Sequence, residues 1–486
     1  MGKAIIIILV ILCLILIVIG FNIDFVTGSC WILMTTIILL PFILYPRIFR
    51  DPFDPLLFSF LKTLFIPFVL GGLLMYLYPV YDYNPAAFAK MLLFTAVGFV
   101  FLAIGLMYKS RQRPRAALYV YTTDKRKMNS YLFLGIVLYI VSSLAKLYIY
   151  FLGITHTASD TTSNAISGNA TLLSFLDIFY SLGAYSFVCI IYIILKYRRK
   201  LLILIAPLCV SEFGLAIANG SRTQMILPLL YVLLVYHLTI KKISLKKFAL
   251  FSLVVLLVLI PITTSFRNNY QRFLLTNDNE VGYEAIASSF DGGGSQMENT
   301  SRVESLQRLY SPLEGFTRVV EMVPHESAYQ IGGTFFPGVL TQFVPRFMWA
   351  DKPIILPGRE FAKTFWKKDL YDFFGTSEEI SILGELYYNF WIIGLIMMFF
   401  VGRLIAFLYS YFLRHKNYEE FFIVRYLFLF NNLSILMAGG LQTNVAQLFK
   451  ELIVLNIFLI VLTRKFPRKI LPNRYLRRAT DPIQAQ

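Results

Sequence analysis

Apolar residues along this chain fall into blocks of about twenty, separated by shorter polar segments. A helix of that length crosses a hydrocarbon core of ~30 Å, and each block therefore predicts a transmembrane helix. The candidate spans are 4–20, 29–45, 56–78, 86–108, 130–154, 172–195, 201–219, 223–240, 248–265, 381–412, 422–440 and 446–463. The pattern predicts an all-α polytopic membrane protein with about twelve transmembrane helices.

The segment between the ninth and tenth spans is too long and too polar to be a simple connector. It divides the chain into four predicted parts. Residues 1–265 hold helices one to nine, 266–380 form a large loop, 381–463 hold the last three helices, and 464–486 form a basic tail. This loop is the predicted functional region outside the membrane.

Basic residues predict the orientation of these helices. More than half of the 45 Lys and Arg residues fall on one side: Lys3, Arg47, Arg50, 109–127, 196–200, 241–247, 414–416 and the tail from Arg464. The short loops on the other side contain none: 21–28, 79–85, 155–171 and 441–445. By the positive-inside rule, both termini are cytoplasmic and the loop 266–380 is extracytoplasmic.

Composition supports a membrane location. The chain is 57% hydrophobic and only 15% charged. Its net charge of +17 would suggest nucleic acid in a soluble protein, but here the basic segments orient the helices and face anionic lipid, so membrane lipid is the predicted partner. All four cysteines lie inside apolar blocks, which predicts neither disulfides nor a metal site. The run 4–20 resembles a signal sequence without a cleavage site and is predicted to be a retained helix.

Two stretches of the large loop have helical patterns. In the first, apolar residues recur at helical spacing: Val303, Leu306, Leu309, Leu313, Phe316 and Val320. They predict an amphipathic helix lying on the membrane or on the helix bundle. In the second, aromatic and basic residues alternate: Phe361, Lys363, Phe365, Trp366, Lys367 and Lys368. They predict a basic, aromatic interfacial helix.

An ionisable residue inside a span costs about 2.5–3.5 kcal/mol on insertion scales, so each such residue needs an explanation. The hairpin of spans seven and eight carries Glu212, Asn219 and Arg222. Either these three share one face of a continuous helix, or Gly220 interrupts that helix and leaves backbone N–H groups near Arg222.

Other charged residues lie near the same predicted outer boundary: Lys146, Asp177, Arg267 and Lys450. In one interpretation, the lysines extend to the headgroups and pairs such as Asp177–Lys146 hold helices together. In the other, the cations surround an anionic ligand in an outward cavity, since they lie where the positive-inside rule disfavours them. Arg222 favours the second interpretation, because a short hairpin has no need of an Arg.

The large loop combines cations with aromatic surface at two places. Arg267 lies near Tyr270, and Arg346 lies near Trp349 and Lys352. The guanidinium fork suits bidentate binding of phosphate, and aromatic faces suit sugar rings. The alternative is that Trp349 is an interfacial anchor and the cations are solvated.

Two residues are candidates for a general base. Glu385 opens the tenth span and is either a base or a pairing partner, and His325 is the only His of the loop. The sequence contains no phosphate-binding Gly-Lys-Ser/Thr loop, no zinc-ligand spacing and no Gly-x-Ser-x-Gly motif. No metal or other cofactor is predicted.

Several of these motifs together resemble a known family. They are Gly220-Ser221-Arg222, Phe266-Arg267 with Tyr270, Pro345-Arg346 with Trp349, Lys352-Pro353 and Gly384-Glu385-Leu-Tyr-x-Asn-Phe. In these motifs and in topology the chain resembles the oligosaccharide repeat unit polymerases, the O-antigen polymerase (Wzy) family. The Arg-x(10)-Gly pattern of some members is not found at Arg222, Arg267 or Arg346.

The resemblance implies a glycosyltransferase of a bacterial cytoplasmic membrane. Such enzymes join oligosaccharide repeat units carried on undecaprenyl pyrophosphate into a surface polysaccharide, such as O-antigen, capsule or exopolysaccharide. It implies catalytic roles for Arg222, Arg267, Glu385 and His325, and substrate-binding roles for Arg346, Lys352, Trp349, Tyr270, Glu212 and Asn219. A chain-length regulator and a flippase are possible partners. No nucleic-acid partner is expected.

Two alternatives stay open at this point. An O-antigen ligase shares the large outer loop and the use of Arg, but moves the glycan to lipid A core. A flippase or other transporter of lipid-linked oligosaccharide would also have about twelve spans and cations in a central cavity. The long outer loop favours the polymerase, since transporters usually show two similar halves and short loops.

Overall fold

In the computed structural model, helices make up all of the regular structure of the described part of the chain. The described residues are 2–44, 51–77, 84–107, 128–152, 159–218, 222–255, 310–337, 339, 344, 349, 357–367, 380–413, 421–437 and 439–464.

The part of the chain that the structure describes contains fourteen helices, numbered in chain order. They are α1 (Gly2–Ile23), α2 (Phe25–Leu44), α3 (Pro55–Leu77), α4 (Pro85–Met107), α5 (Met128–Phe151), α6 (Ser159–Tyr197), α7 (Ile205–Ala218), α8 (Arg222–Thr239), α9 (Leu245–Val254), α10 (310–322), α11 (Pro357–Trp366), α12 (Ile382–Leu413), α13 (Phe422–Leu436) and α14 (Leu441–Arg464). A short 3₁₀ segment, Arg199–Leu204, precedes α7.

Within the described residues, six helical segments are long and apolar enough to cross a membrane: Pro55–Leu77, Pro85–Met107, Met128–Phe151, Ile178–Tyr197, Ile382–Leu413 and Asn444–Leu462. The protein is therefore a helical membrane protein. The other predicted spans overlap helices in part, namely α1, α2, α7, α8, α9 and α13. For the ninth span, 248–265, only the beginning lies within the described residues.

Local sequence explains the irregular geometry of α3. Asp54 caps the helix, with Oδ1 accepting hydrogen bonds from the backbone N–H groups of Leu56 at 2.9 Å and Leu57 at 3.3 Å, and Pro55 follows at the first helical position. Residues Leu61–Leu70 then form a π-helical segment that contains Pro67. Proline has no N–H to donate and its ring clashes with the preceding turn, so the wider helix accommodates it.

The centre of the bundle is the second half of α6. From Tyr185 to Leu195 every side chain is buried, and α5, α8, α13 and α14 pack around this helix. A helix that is apolar on all sides belongs in the interior of a bundle. This central position brings residues of α5, α7, α8 and α14 within reach of α6.

Small residues allow α4 and α12 to approach closely. A Cβ atom added at Gly105 would lie 2.2 Å from the carbonyl oxygen of Phe399, and one added at Gly402 would lie 2.3 Å from that of Leu102. Only glycine permits such backbone contact between two helices. This contact joins α4 to the second part of α12, beyond Trp391, whose φ of 55° interrupts the regular helix.

The loop helices pack on the protein. Leu313, Phe316 and Val320 of α10 are buried, and Phe316 lies against Gly384 at the start of α12. Of the two predicted locations, this part of the amphipathic helix lies on the bundle, while Val303, Leu306 and Leu309 are outside the described residues. The second predicted helix is α11, and its Phe361 and Phe365 are buried.

Candidate functional site

An ion pair joins α5 to α7. The Nζ atom of Lys146 lies 2.8 Å from both carboxylate oxygens of Glu212. The side chains are only 9% and 16% exposed. Sequence spacing suggested Asp177 as a partner of Lys146, and the side chain of Asp177 is outside the described residues. Lys146 and Glu212 therefore neutralise each other's charge in a largely apolar setting.

Two further residues complete this arrangement, which is called the Lys146 cluster: Lys146, Tyr180, Glu212 and Gln224. The Lys146 Nζ lies 5.3 Å from the ring centroid of Tyr180, in cation–π range. Gln224 donates a hydrogen bond from its side-chain amide to the hydroxyl of the same tyrosine. The cluster links α5, α6, α7 and α8 through polar groups.

Neighbouring contacts support the Lys146 cluster from α5. The hydroxyls of Tyr139 and Ser211 are 2.7 Å apart, which adds a second link between α5 and α7. Ser142 donates to the backbone carbonyl of Tyr180 at 3.3 Å. A Cβ added at Gly183 would lie 2.3 Å from the Ser142 Oγ and 3.3 Å from the Lys146 Nζ. Glycine at this position makes room for α5 to approach α6.

The Lys146 cluster contains one residue from each helix of the predicted Arg222 hairpin. Among the described residues, α7 runs to Ala218 and α8 starts at Arg222, and the two helices pack against each other, so Glu212 and Gln224 are not on one continuous helix. Glu212 belongs to the last two turns of the first helix, and Gln224 to the first turn of the second. The residues 219–221, including Asn219, and the side chain of Arg222 lie outside the described residues.

Glu385 has a structural partner. It is 1% exposed, and its Oε2 accepts a hydrogen bond of 2.6 Å from the backbone N–H of Leu441, the first residue of α14. The preceding Gly440 has φ +76°, a conformation that favours glycine. A carboxylate at a helix N-terminus satisfies an otherwise unbonded N–H and complements the helix dipole. This geometry favours the pairing role of Glu385 over that of a general base.

A clasp of three side chains holds α10 to α11. Arg318 donates from Nε and Nη2 to the Oε1 of Glu314 at 3.1 and 3.0 Å. Trp366 donates to the same oxygen at 3.2 Å, and its ring lies 5.1 Å from the Arg318 guanidinium carbon. Burial, with a smaller contribution from the Glu314 carboxylate, raises the pKa of Tyr310 to about 12. The clasp fixes the two loop helices relative to each other.

The loop after α10 is tied to the start of α12. The Tyr329 and Tyr387 hydroxyls are 3.0 Å apart, and the amide of Asn389 donates to the hydroxyl of Thr334 at 2.6 Å. His325 lies exposed in the turn that follows α10. It is positioned on the protein surface, where solvent and solutes can reach it.

Five predicted site residues lie outside the described residues: Asn219, Arg267, Tyr270, Arg346 and Lys352. Trp349 is described and exposed. Among the described candidates, the structure thus joins Glu212 to Lys146 and Glu385 to Leu441.

A second polar group, which the sequence does not single out, lies in the middle of the bundle. Tyr185 of α6 donates to Glu451 Oε2 of α14 at 2.7 Å, and Gln447 donates to the other oxygen at 3.1 Å. Nearby, the Asn431 amide donates to the Tyr231 hydroxyl at 2.9 Å. The available signal is the carboxylate of Glu451 inside the span 446–463.

A third polar group, the His237 cluster, consists of Asp51, His237 and Ile243 and lies at the C-terminal end of α8. The Nδ1 of His237 accepts a hydrogen bond of 2.9 Å from the Ile243 N–H. Its Nε2 lies 3.0 Å from Asp51 Oδ1. Since Nδ1 is an acceptor, the proton of the neutral ring is on Nε2.

Next to the His237 cluster, Asp54 is held between two helices. It caps α3 and accepts a hydrogen bond of 2.7 Å from the Tyr409 hydroxyl of α12. Burial raises the pKa of the Asp54 carboxyl, and the hydrogen bond from Tyr409 opposes that rise. These contacts connect α3, α8 and α12 at one end of the bundle.

Comparison with known sequences gives a family. Residues 78–356 match the family model described as a domain of unknown function, DUF8712. The chain belongs to the DUF8712 family. No curated protein and no solved structure matches the chain. The DUF8712 region contains all of the Lys146 cluster and the start of α8, whereas Glu385 and Glu451 follow it.

Proposed function

We propose that this protein is a polymerase that joins repeat units carried on undecaprenyl pyrophosphate into a surface polysaccharide. The reaction would take place on the outer face of a bacterial cytoplasmic membrane. The proposal rests on the resemblance of the motifs around Arg222, Arg267, Arg346 and Glu385 to the repeat unit polymerases. The observation that carries it in the structure is the Lys146 cluster beside the Arg222 hairpin.

The proposal includes a topology of twelve spans, with cytoplasmic termini and the loop 266–380 outside. In this frame α5 and α7 run outward, and α8 begins at the outer boundary. The Lys146 cluster and Arg222 then lie in the outer part of the membrane. A pyrophosphate attached to a polyprenyl chain lies at that depth, because its lipid is in the hydrocarbon and its sugars are in water.

The chemistry requires cations for the departing pyrophosphate. In the transfer, the bond from the anomeric carbon to the pyrophosphate oxygen breaks and the pyrophosphate leaves with the electron pair. Preorganised positive groups stabilise such developing charge. Lys146 is neutralised by Glu212, so the proposal assigns this role to Arg222 with Arg267, and substrate binding to Arg346 and Lys352.

The acceptor needs a group that takes its proton. A sugar hydroxyl of the incoming unit forms the new bond to the anomeric carbon, and its proton passes to a base. Glu385 is buried and bonded to the start of α14, whereas His325 is exposed in the loop. The geometry therefore favours His325 of the two predicted bases. Aromatic faces at Trp349 and Tyr270 would bind the sugar rings.

One observation favours a transporter as a second candidate. Glu451 is an ionisable residue in the middle of α14, bonded to Tyr185 within the bundle. Carboxylates at such positions are typical of proton or ion pathways in transporters. A transporter would need Glu451, whereas the proposed polymerase would not.

The experiment is deletion of the gene in its native host, with analysis of the surface glycan on a gel that resolves chain length. The polymerase predicts single capped repeat units in place of a ladder. Complementation with Arg222→Ala should leave single units, and Arg198→Ala, which removes an exposed cation at the cytoplasmic end of α6, should restore the ladder.

Other outcomes identify other functions. Loss of all surface glycan with polymer still on its lipid carrier would identify a ligase. Accumulation of unpolymerised lipid-linked units on the cytoplasmic side would identify a flippase. An unchanged ladder in the deletion strain would contradict all three.

A further inference from the structure

We propose that Lys146 and Glu212, supported by Tyr180 and Gln224, are positioning residues that set the place of Arg222. This inference rests on the proposed function, because it assigns a role to residues next to the same site. None of the four is proposed to touch the substrate, which departs from the substrate-binding role first predicted for Glu212.

The contacts of the Lys146 cluster hold both helices of the hairpin. Glu212 holds the end of α7 to α5 through Lys146, at 2.8 Å to each oxygen. Gln224 holds the start of α8 to α6 through Tyr180. Because Lys146 also faces the Tyr180 ring, the two attachments share one centre. The segment between them carries Arg222, so displacement of either helix moves that residue.

The burial of the pair explains why it is a positioning device and not a ligand site. Lys146 has its ammonium between a carboxylate and an aromatic ring, with a side chain only 9% exposed. An anion could reach that ammonium only by displacing Glu212, which would leave a carboxylate without its cation in an apolar setting. The pair is therefore satisfied within the protein.

The functional consequence follows from the sensitivity of catalysis to geometry. A misplacement of about 1 Å can cost on the order of 100-fold in rate, even when the altered residue is remote from the chemistry. Opening the Lys146–Glu212 pair removes one of the two attachments of the hairpin, and Arg222 is then held less firmly in place. We expect a loss of transition-state stabilisation by Arg222, and so a lower kcat.

The test is a charge-swap cycle on the full chain, reconstituted in liposomes. The substrate is the lipid-linked repeat unit extracted from the deletion strain. Lys146→Glu and Glu212→Lys should each lower kcat at least about tenfold, with a smaller change in KM. The double variant should recover most of kcat, because it restores an opposite-charge pair between the same helices.

Two controls accompany the charge swap. Glu212→Gln removes the charge with little change of shape and should lower kcat in the same direction while the protein still inserts. Lys242→Glu reverses an exposed charge just beyond the other end of α8 and should leave kcat unchanged. The amount of monodisperse protein in detergent is measured for every variant, so that loss of folding is separated from loss of rate.

Three outcomes would overturn the inference. Single variants with normal kcat would show that the pair does not position the site. A pure rise in KM would make Lys146 or Glu212 a substrate contact. A folded double variant no better than the singles would remove the coupling between them. If Arg222→Ala itself is fully active, the proposed function fails first, and the two failures are thereby distinguished.

Discussion

The two ends of α8 are both held by polar groups, but by different chemistry. At the Arg222 end, the Lys146 cluster joins α8 to its neighbours through an ion pair and an amide–phenol hydrogen bond. At the other end, His237 is buried, accepts a backbone N–H and packs its ring 5.0 Å from that of Phe53. The first end joins long side chains through an ion pair, and the second holds a buried ring beside Asp51, the Ile243 N–H and Phe53. Substitutions at each end should therefore show what its contacts contribute.

The largest expected effect is that of Glu212→Ala. It would leave the Lys146 ammonium largely buried without its carboxylate, which costs about 3 kcal/mol of unfolding free energy for a pair of this exposure. Thermal unfolding of the detergent-purified protein would measure the loss. Val210→Ala shortens an exposed side chain on the same helix and is the matched control. Equal melting temperatures for the two variants would contradict the account of this end.

His237→Ala is expected to cost somewhat less, about 2–3 kcal/mol. It removes a buried ring and leaves the Ile243 N–H without its acceptor. His237→Asn retains a side-chain acceptor and should recover part of the stability. Activity per folded molecule should change little, since this end is distant from Arg222 along α8. A variant that folds normally but does not polymerise would show that the two ends are coupled.

Gly183→Ala disturbs the Arg222 end without changing any charge. The new Cβ would lie 2.3 Å from the Ser142 Oγ, so α5 has to shift from α6, at an expected cost of about 1–2 kcal/mol. At Gly214 of α7, no atom lies within 4 Å of an added Cβ, and Gly214→Ala is the control. Chain-length gels and melting curves should both respond to the first substitution only. Identical behaviour of the two variants would mean that α5 and α6 do not approach closely here.

The smallest effect on stability is expected for Glu451→Gln in α14, away from both ends of α8. Glutamine keeps an acceptor for the Tyr185 hydroxyl, so the loss of stability should be below about 1 kcal/mol. Polymer length in the complemented deletion strain should match that of the wild type. A stable variant that produces no surface glycan would instead favour the transporter.

The six long apolar helices of the described residues were predictable from the sequence, because the blocks of apolar residues have the length that is needed to cross a membrane. The polar residues of the hairpin were also recognisable, since a charge inside a span is rare. The partner of Lys146 was not, because which helices are neighbours depends on packing across the bundle. Spacing along the chain suggested Asp177, whose side chain lies outside the described residues, and the structure shows an additional contact with Glu212.

The contacts of Glu385 and His237 illustrate a second limit of prediction from the sequence. Glu385 bonds to a backbone N–H at the start of another helix, and no side-chain pattern encodes such a partner. His237 lies in a predicted span but meets Asp51, far away in sequence. Glu451 was visible as a charge in a span, yet only the fold shows its contact with Tyr185. In each case the missing information is tertiary.

The most direct test of the central claim uses the purified protein in liposomes with a lipid-linked repeat unit as the only substrate. Product length is followed by mass spectrometry, for the wild type and for Arg222→Ala. The account predicts lipid-linked dimers and longer oligomers with the wild type, release of free polyprenyl pyrophosphate in proportion to the bonds formed, and neither with the variant. Substrate that stays monomeric with folded wild-type protein, or equal polymer from Arg222→Ala, would contradict it.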